Sequence, residues 1–220
     1  MNIKINTRVE KDLLGHKEIP AHCYYGVQTL RALENFNLSP NKLNQFPVFI
    51  NALAMVKAAC AEANFKLNKL EENKYNAIQY ACEQIINYKY HDQFPIDMIQ
   101  GGAGTSTNMN INEVLANIGL EHLDHLKGEY QYLHPNNDIN MSQSTNDVYP
   151  TAIKVGLIFA IEQLNSPFQN LIQSFKNKSD EFSHILKMGR TQLQDAVPMT
   201  LGQEFGAFAN TLQNDLNKLN

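Results

Sequence analysis

Apolar residues recur at three- and four-residue intervals in stretch after stretch of this chain, and that spacing dictates helices. Phe49, Leu53, Val56, Cys60, Ala63 and Leu67 form one such stripe after Pro47. Tyr75, Ile78, Cys82 and Ile85 form a second, and Ile111, Val114 and Ile118 a third, predicting a helix from about Asn108 to Leu126. The spacing is that of a helix face and not of a strand. Pro150 is expected in the first turn of a further helix, where its missing N–H costs nothing. That helix, Thr151 to Leu164, is apolar on most faces, as if surrounded by other helices. Ser166-Pro167 reads as a new start, followed by Phe168, Leu171, Phe175, Phe182 and Ile185 near a heptad pattern. Lys187 to Pro198 interrupts the pattern and reads as a hairpin or loop. Leu201, Phe205, Phe208, Leu212, Leu216 and Leu219 make a last stripe, which runs into the terminus without Gly or Pro. The chain is therefore expected to stop inside a helix, as a fragment or truncated product. Residues 1 to 47 read as irregular, with a short strand around Ile3 to Val9. Tyr88 to Gly104 and Gly128 to Asn140 read as loops.

The 220 residues suffice for one large domain or two small ones, and a 43% hydrophobic content supports a sizeable core. A net charge of -4 without a basic stretch argues against nucleic-acid binding. The polar start lacks the apolar core of a signal peptide. The longest strongly apolar stretch, Gly156 to Ile161, is too short to span a bilayer. Cys23, Cys60 and Cys82 are odd in number and widely spaced, so they read as reduced thiols of a cytoplasmic protein.

Two polar segments stand just ahead of helical runs. One is Gly101 to Asn110, with Thr105, Ser106, Thr107 and Asn108. The other is Ser142 to Asp147, with Ser144, Thr145 and Asn146. Hydroxyl and amide donors beside the unpaired N–H groups of a helix start can hold a carboxylate or phosphate. Two such starts suit a ligand with two anionic ends. Ordinary helix capping is the alternative reading for both. The glycine spacing is not that of a nucleotide loop. The polar segment Gly189 to Pro198 reads as a turn with an Arg–Asp pair. The histidines, His91 and His134 among them, show no metal-ligand spacing.

Four stretches carry a resemblance: residues 24–36 (YYGVQTLRALENF), 101–117 (GGAGTSTNMNINEVLAN), 140–152 (NMSQSTNDVYPTA) and 189–209 (GRTQLQDAVPMTLGQEFGAFA). In this order they closely resemble the aspartase/fumarase superfamily, over essentially the whole chain. The resemblance implies an all-α fold. A mostly helical N-terminal domain over 1–140 precedes the first long helices of the family's bundle over 141–220. It implies reversible deamination of L-aspartate to fumarate and ammonia through an enediolate, without a cofactor. Thr105, Ser144, Thr145, Asn146 and Thr191 would bind substrate, with Gln192 beside them. Gln192 stands where fumarases typically carry His, and Met141 to Asn146 reads Met-Ser-Gln-Ser-Thr-Asn where they read Lys-Ser-Gln-Ser-Ser-Asn. Both features favour the ammonia-lyase branch, although some of its members also carry the His. The family's catalytic serine lies on a Gly-Ser-Ser loop that is not in this sequence, so no catalytic residue is assigned and the 220 residues alone are expected to be inactive. The family implies a homotetramer. Fumarate hydration, or a non-catalytic scaffold on a retained lyase fold, are the alternatives.

Overall fold

The computed structural model describes residues 6–219. The structure is predominantly helical, as the spacing predicts, with two small hairpins. Its contacts divide it into two compact units, one through Leu157 and one from Ile158.

The first unit opens with antiparallel β1 (Thr7–Asp12) and β2 (Gly15–Pro20). The expected strand from Ile3 overlaps β1 only from Thr7, and its residues 3–5 lie outside the described region. Helix α1 (Val27–Asn35) follows, so the irregular reading of the first 47 residues is corrected here. At nine residues it is too short for a clear stripe. Its start is held from outside. Glu113 accepts from the backbone N–H groups of Gly26, Gln28 and Thr29 and from the Thr29 hydroxyl, at 2.7–3.0 Å.

Helices α2 (Pro47–Lys66), α3 (Glu72–Ile86) and α4 (Thr105–His122) pack together as the core. Pro47 occupies the first turn of α2, where a lost N–H is free of cost. Ile78, Ile85, Ile111, Leu115 and Leu120 are fully buried. The α2 face differs from its expected stripe. Ile50, Leu53, Lys57, Ala61 and Asn64 point inward, while Ala63 and Leu67 are exposed. α2 is also long and apolar enough to cross a membrane by length and composition, a match the sequence reading had not found. Burying Lys57, Asn51 and Asn64 beside α3 and α4 is instead the habit of a core helix. The third helix starts at Thr105 and ends at His122, earlier at both ends than its apolar spacing indicates. The expected loop before residue 140 contains one wide turn, Pro135–Ile139, started by His134, whose Nδ1 accepts from the N–H groups of Asn136 and Asn137.

Helix α5 runs unbroken from Thr145 to Glu181 and belongs to both units. Two expectations change with it. Pro150 lies beyond the first turn, and Pro167 sits mid-helix instead of starting a new one. Each proline removes one intrahelical hydrogen bond, and the flanking turns carry the helix through. In the first unit Val148 and Ala152 of α5 are buried and Val155 packs against the core. Ile153 and Leu157 are exposed, so this segment is not enclosed on all sides within the chain.

In the second unit β3 (Leu186–Thr191) and β4 (Gln194–Thr200) form an antiparallel hairpin with a bulge near Gly189. Arg190 and Asp195 face each other at 2.7 Å, the pair read from the sequence. Helix α6 (Leu201–Leu219) begins where Gly202 meets the Ser179 carbonyl and the Ser183 backbone, too close for any β-carbon. Phe175, Phe182, Phe205 and Phe208 cluster between α5 and α6 with ring centroids 5.5–6.1 Å apart.

Candidate functional site

The two polar segments meet. The α4 start and the α5 start lie side by side in the first unit, joined by Tyr149. Gly104, the residue before α4, has φ +82°, a conformation that favours glycine. A β-carbon there would collide with the Tyr149 ring. Tyr149 in turn meets Phe49 edge-on at 5.6 Å. One aromatic residue of α5 thus holds the glycine-rich turn against α2.

Side-chain capping of α4 comes from outside its own segment. Gln100 Oε1 accepts from the Thr107 N–H at 2.9 Å, and Gln100 Nε2 donates to the Thr107 hydroxyl at 2.9 Å. The Asn108 N–H goes to the Gly104 carbonyl. The N–H groups of Thr105 and Ser106 have no partner among the described residues. Thr105 is exposed, and its hydroxyl caps nothing. Of the four residues read as a possible clamp, Thr107 and Asn108 are therefore interior and bonded. Thr105 and Ser106 remain open to a ligand.

The α5 start divides its work differently. The Ser144 hydroxyl accepts from the Asn146 N–H at 3.2 Å, and the Ser144 carbonyl receives Asp147 and Val148. Ser144 is the cap. Thr145 and Asn146 are free of that duty. The Thr145 oxygen accepts from Asn108 Nδ2 at 3.2 Å, and the exposed Asn146 side chain makes no hydrogen bond among the described residues.

Beneath both starts lies a residue the sequence reading missed. Lys57 is fully buried, and its ammonium donates to Asn108 Oδ1 at 2.8 Å, Asn140 Oδ1 at 2.8 Å and Gln143 Oε1 at 2.9 Å. Asn108 belongs to the first segment, Gln143 lies in the second, and Asn140 stands just ahead of it. Burial pulls the Lys57 ammonium down to about 7. The same burial pushes the neighbouring Cys82 thiol up to about 12. A lone lysine within the otherwise apolar run Ala52 to Cys60 was the available signal.

A cleft of about 330 Å³ opens beside the α4 start, between Met98, Gln100 and Gly102–Gly104 on one side and Asn146, Tyr149 and Pro150 on the other. A larger one, about 710 Å³, lies under the β1–β2 turn and α1 and takes in Ser106 but none of the six expected binding residues. The smaller cleft is the better candidate, because the glycine turn that leads into α4 and the unbonded Asn146 side chain both line it. Thr191 and Gln192 lie in the second unit. Thr191 ends β3 opposite Gln194, and Gln192 and Leu193 form the turn with φ of +50° and +62°. Two-residue hairpins of this kind ordinarily use Asn-Gly. Holding two β-carbon-bearing residues there costs about 1–3 kcal/mol each.

The chain matches the family described as lyase over residues 15–220 and belongs to that family of lyases. Among curated relatives it is 60% identical over 219 residues to the aspartate ammonia-lyase of Pseudomonas canavaninivorans, covering 100% of this chain and 46% of that protein. It is 54% identical over 215 residues to the aspartate ammonia-lyase of Escherichia coli K12, covering 97% and 45%. Among solved structures, fumarate lyase:delta crystallin from Brucella melitensis matches with a TM-score of 0.90 at 55% identity, over 97% of this chain and 50% of that one. Class II fumarase from Schistosoma mansoni matches with a TM-score of 0.84 at 36% identity, over 96% and 44%. The chain spans about half the length of the curated relatives it matches.

Proposed function

We propose that the protein to which these residues belong is an aspartate ammonia-lyase that converts L-aspartate reversibly to fumarate and ammonia. The observation that carries this reading is 60% identity to such an enzyme along the whole chain. The convergence of the two donor-rich helix starts supports it.

The chemistry asks for what these starts supply. Removing the Cβ proton turns the β-carboxylate into an enediolate carrying two negative charges, and ammonia then leaves from the neighbouring carbon. Donors already fixed in place stabilise that charge without reorganising. In this reading the Thr145 hydroxyl, the Asn146 amide and the Thr105 segment hold substrate, and Ser144 shapes the α5 start. Thr191 and Gln192 contribute from the strained hairpin turn. The family's Gly-Ser-Ser base is not among the 220 residues, so they alone bind without turning over. The reading takes residues 1–140 as the N-terminal lyase domain and 141–220 as the opening of the helix bundle.

A homotetramer in the cytoplasm completes the proposal. Ile158, Leu164 and Leu171 of α5 and Phe208 of α6 are 43–56% exposed, the kind of surface that subunit packing covers. Fumarate hydration is the second reading, favoured by the 36% identity to a fumarase and opposed by Gln192 and the Met-Ser-Gln-Ser-Thr-Asn run. Fumarate absorbance followed with the full-length protein, on L-aspartate and on L-malate, decides between them. A higher kcat/KM on aspartate is expected. A higher value on malate transfers the assignment to the hydratase.

A further inference from the structure

We propose that Lys57 is a positioning residue for the anion site. Its buried ammonium orients the Asn108 amide, and that amide fixes the Thr145 hydroxyl as a donor toward a bound carboxylate. The inference rests on the proposed location of that site.

An ammonium has three donors and no acceptor. Lys57 gives one donor to each of three amide oxygens at 2.8–2.9 Å, on Asn108, Asn140 and Gln143. The Asn108 amide consequently has one allowed orientation: oxygen toward Lys57, nitrogen toward Asn140 Oδ1 at 3.1 Å and Thr145 Oγ1 at 3.2 Å. A rotated amide would set its NH₂ against an ammonium. With a lone pair of Thr145 occupied by that N–H, the hydroxyl proton is turned away from Asn108 and available to an acceptor outside. Lys57 thus sets the direction of a hydroxyl it does not touch. Among the described residues no carboxylate pairs with Lys57, so its charge is not cancelled locally. A buried charge without a counter-ion is costly, and a purely apolar packing role would be filled better by Met or Leu.

Fumarate, a dianion that needs no turnover, is the probe. Its dissociation constant and stoichiometry are measured by titration calorimetry on the full-length protein, as wild type, Lys57→Met, Thr145→Ala and the double variant. Lys57→Met should weaken fumarate binding about ten- to a hundredfold, the loss expected when a hydrogen bond to a charged group goes. In the Thr145→Ala background the same change should add little. A merely structural lysine would lower the folded fraction, and so the stoichiometry, while leaving the dissociation constant alone. Equal losses in both backgrounds, or an unchanged constant, overturn the proposal. If Lys57→Met does not fold, Asn108→Asp takes its place, because it keeps an acceptor for Lys57 and removes the donor to Thr145. Its penalty should shrink in the Thr145→Ala background, whereas simple charge repulsion would persist there and contradict the proposal. Aspartate turnover by the wild type is read in parallel. Fumarate binding without turnover removes only the assigned activity. Turnover without the Lys57–Thr145 coupling removes only the positioning role. A wild type that does not bind fumarate removes both.

Discussion

The first unit completes its own interior, and the second does not. Through Leu157, Ile78 and Ile85 of α3 and Ile111, Leu115 and Leu120 of α4 are fully buried, and the polar groups among them are hydrogen-bonded with few exceptions. From Ile158 on, Ile172, Ala209 and Leu216 are the buried hydrophobic residues, while Ile158, Leu164, Leu171 and Phe208 stay open. Equally regular spacing therefore means two things. In one unit it marks a core made within the chain. In the other it marks a face whose partner is something else, which the proposal identifies as further helices of the assembled lyase.

Substituting matched leucines would break or sharpen this contrast. Leu115→Ala removes a fully buried side chain of α4 and should cost about 2–5 kcal/mol, read as a drop in urea midpoint of the 220-residue chain. Leu171→Ala in the same chain should cost well under 1 kcal/mol, about the usual range for surface positions. The same Leu171 change in the full-length protein should cost far more, if the exposed face is covered there. Similar small costs in both contexts would mean that the face stays open.

The next effect concerns the long helix. Pro167→Ala restores a hydrogen bond to the Gln163 carbonyl and should raise stability by up to about 3 kcal/mol, measured by thermal unfolding. A loss on this change would mean that the helix depends on the proline for its path. At the hairpin turn, replacing Gln192-Leu193 by Asn-Gly relieves two left-handed residues and should stabilise by about 1–2 kcal/mol per residue. In the full-length enzyme it should lower aspartate turnover, because the proposal uses Gln192.

Lys57 supplies a pH test within the first unit. Its folded pKa is depressed to about 7 from 10.5, so the folded chain binds fewer protons than the unfolded one across that window. The associated stability is fully present above pH 10.5 and is lost as pH falls through about 7. Thermal unfolding of wild type should gain on Lys57→Met as pH rises from 7 toward 10.5. Parallel curves would mean that Lys57 does not titrate in that range.

Much of the helical fold was legible because α2, α3, α4 and α6 announce themselves by spacing. The face of α2 was not. Its interior carries Lys57, Asn51 and Asn64, so a count of apolar residues chose Ala63 and Leu67, which are exposed. Pro167 was read as a boundary because local rules cannot see the flanking turns that carry a helix past it. At the site, donor-rich runs could be seen, but their division of labour could not. Gln100 caps α4 through a side chain outside the polar run, and Ser144 alone caps α5. Spacing says nothing about which hydroxyl is spent on a cap and which is left for a ligand. The Lys57–Asn108–Thr145 chain joins positions far apart in sequence and had no local signature.

The central claim is that Thr145 and Asn146 serve a ligand rather than their helix. The direct measurement takes Ser144→Ala, Thr145→Ala and Asn146→Ala in the full-length protein and reads thermal stability and aspartate kinetics on the same samples. Ser144→Ala should lose about 0.5–2 kcal/mol of stability, as a cap does. Thr145→Ala and Asn146→Ala should stay near wild-type stability and lose about ten- to a thousandfold in kcat/KM. Thr145 and Asn146 variants that unfold early yet turn over aspartate at the wild-type rate would contradict the account.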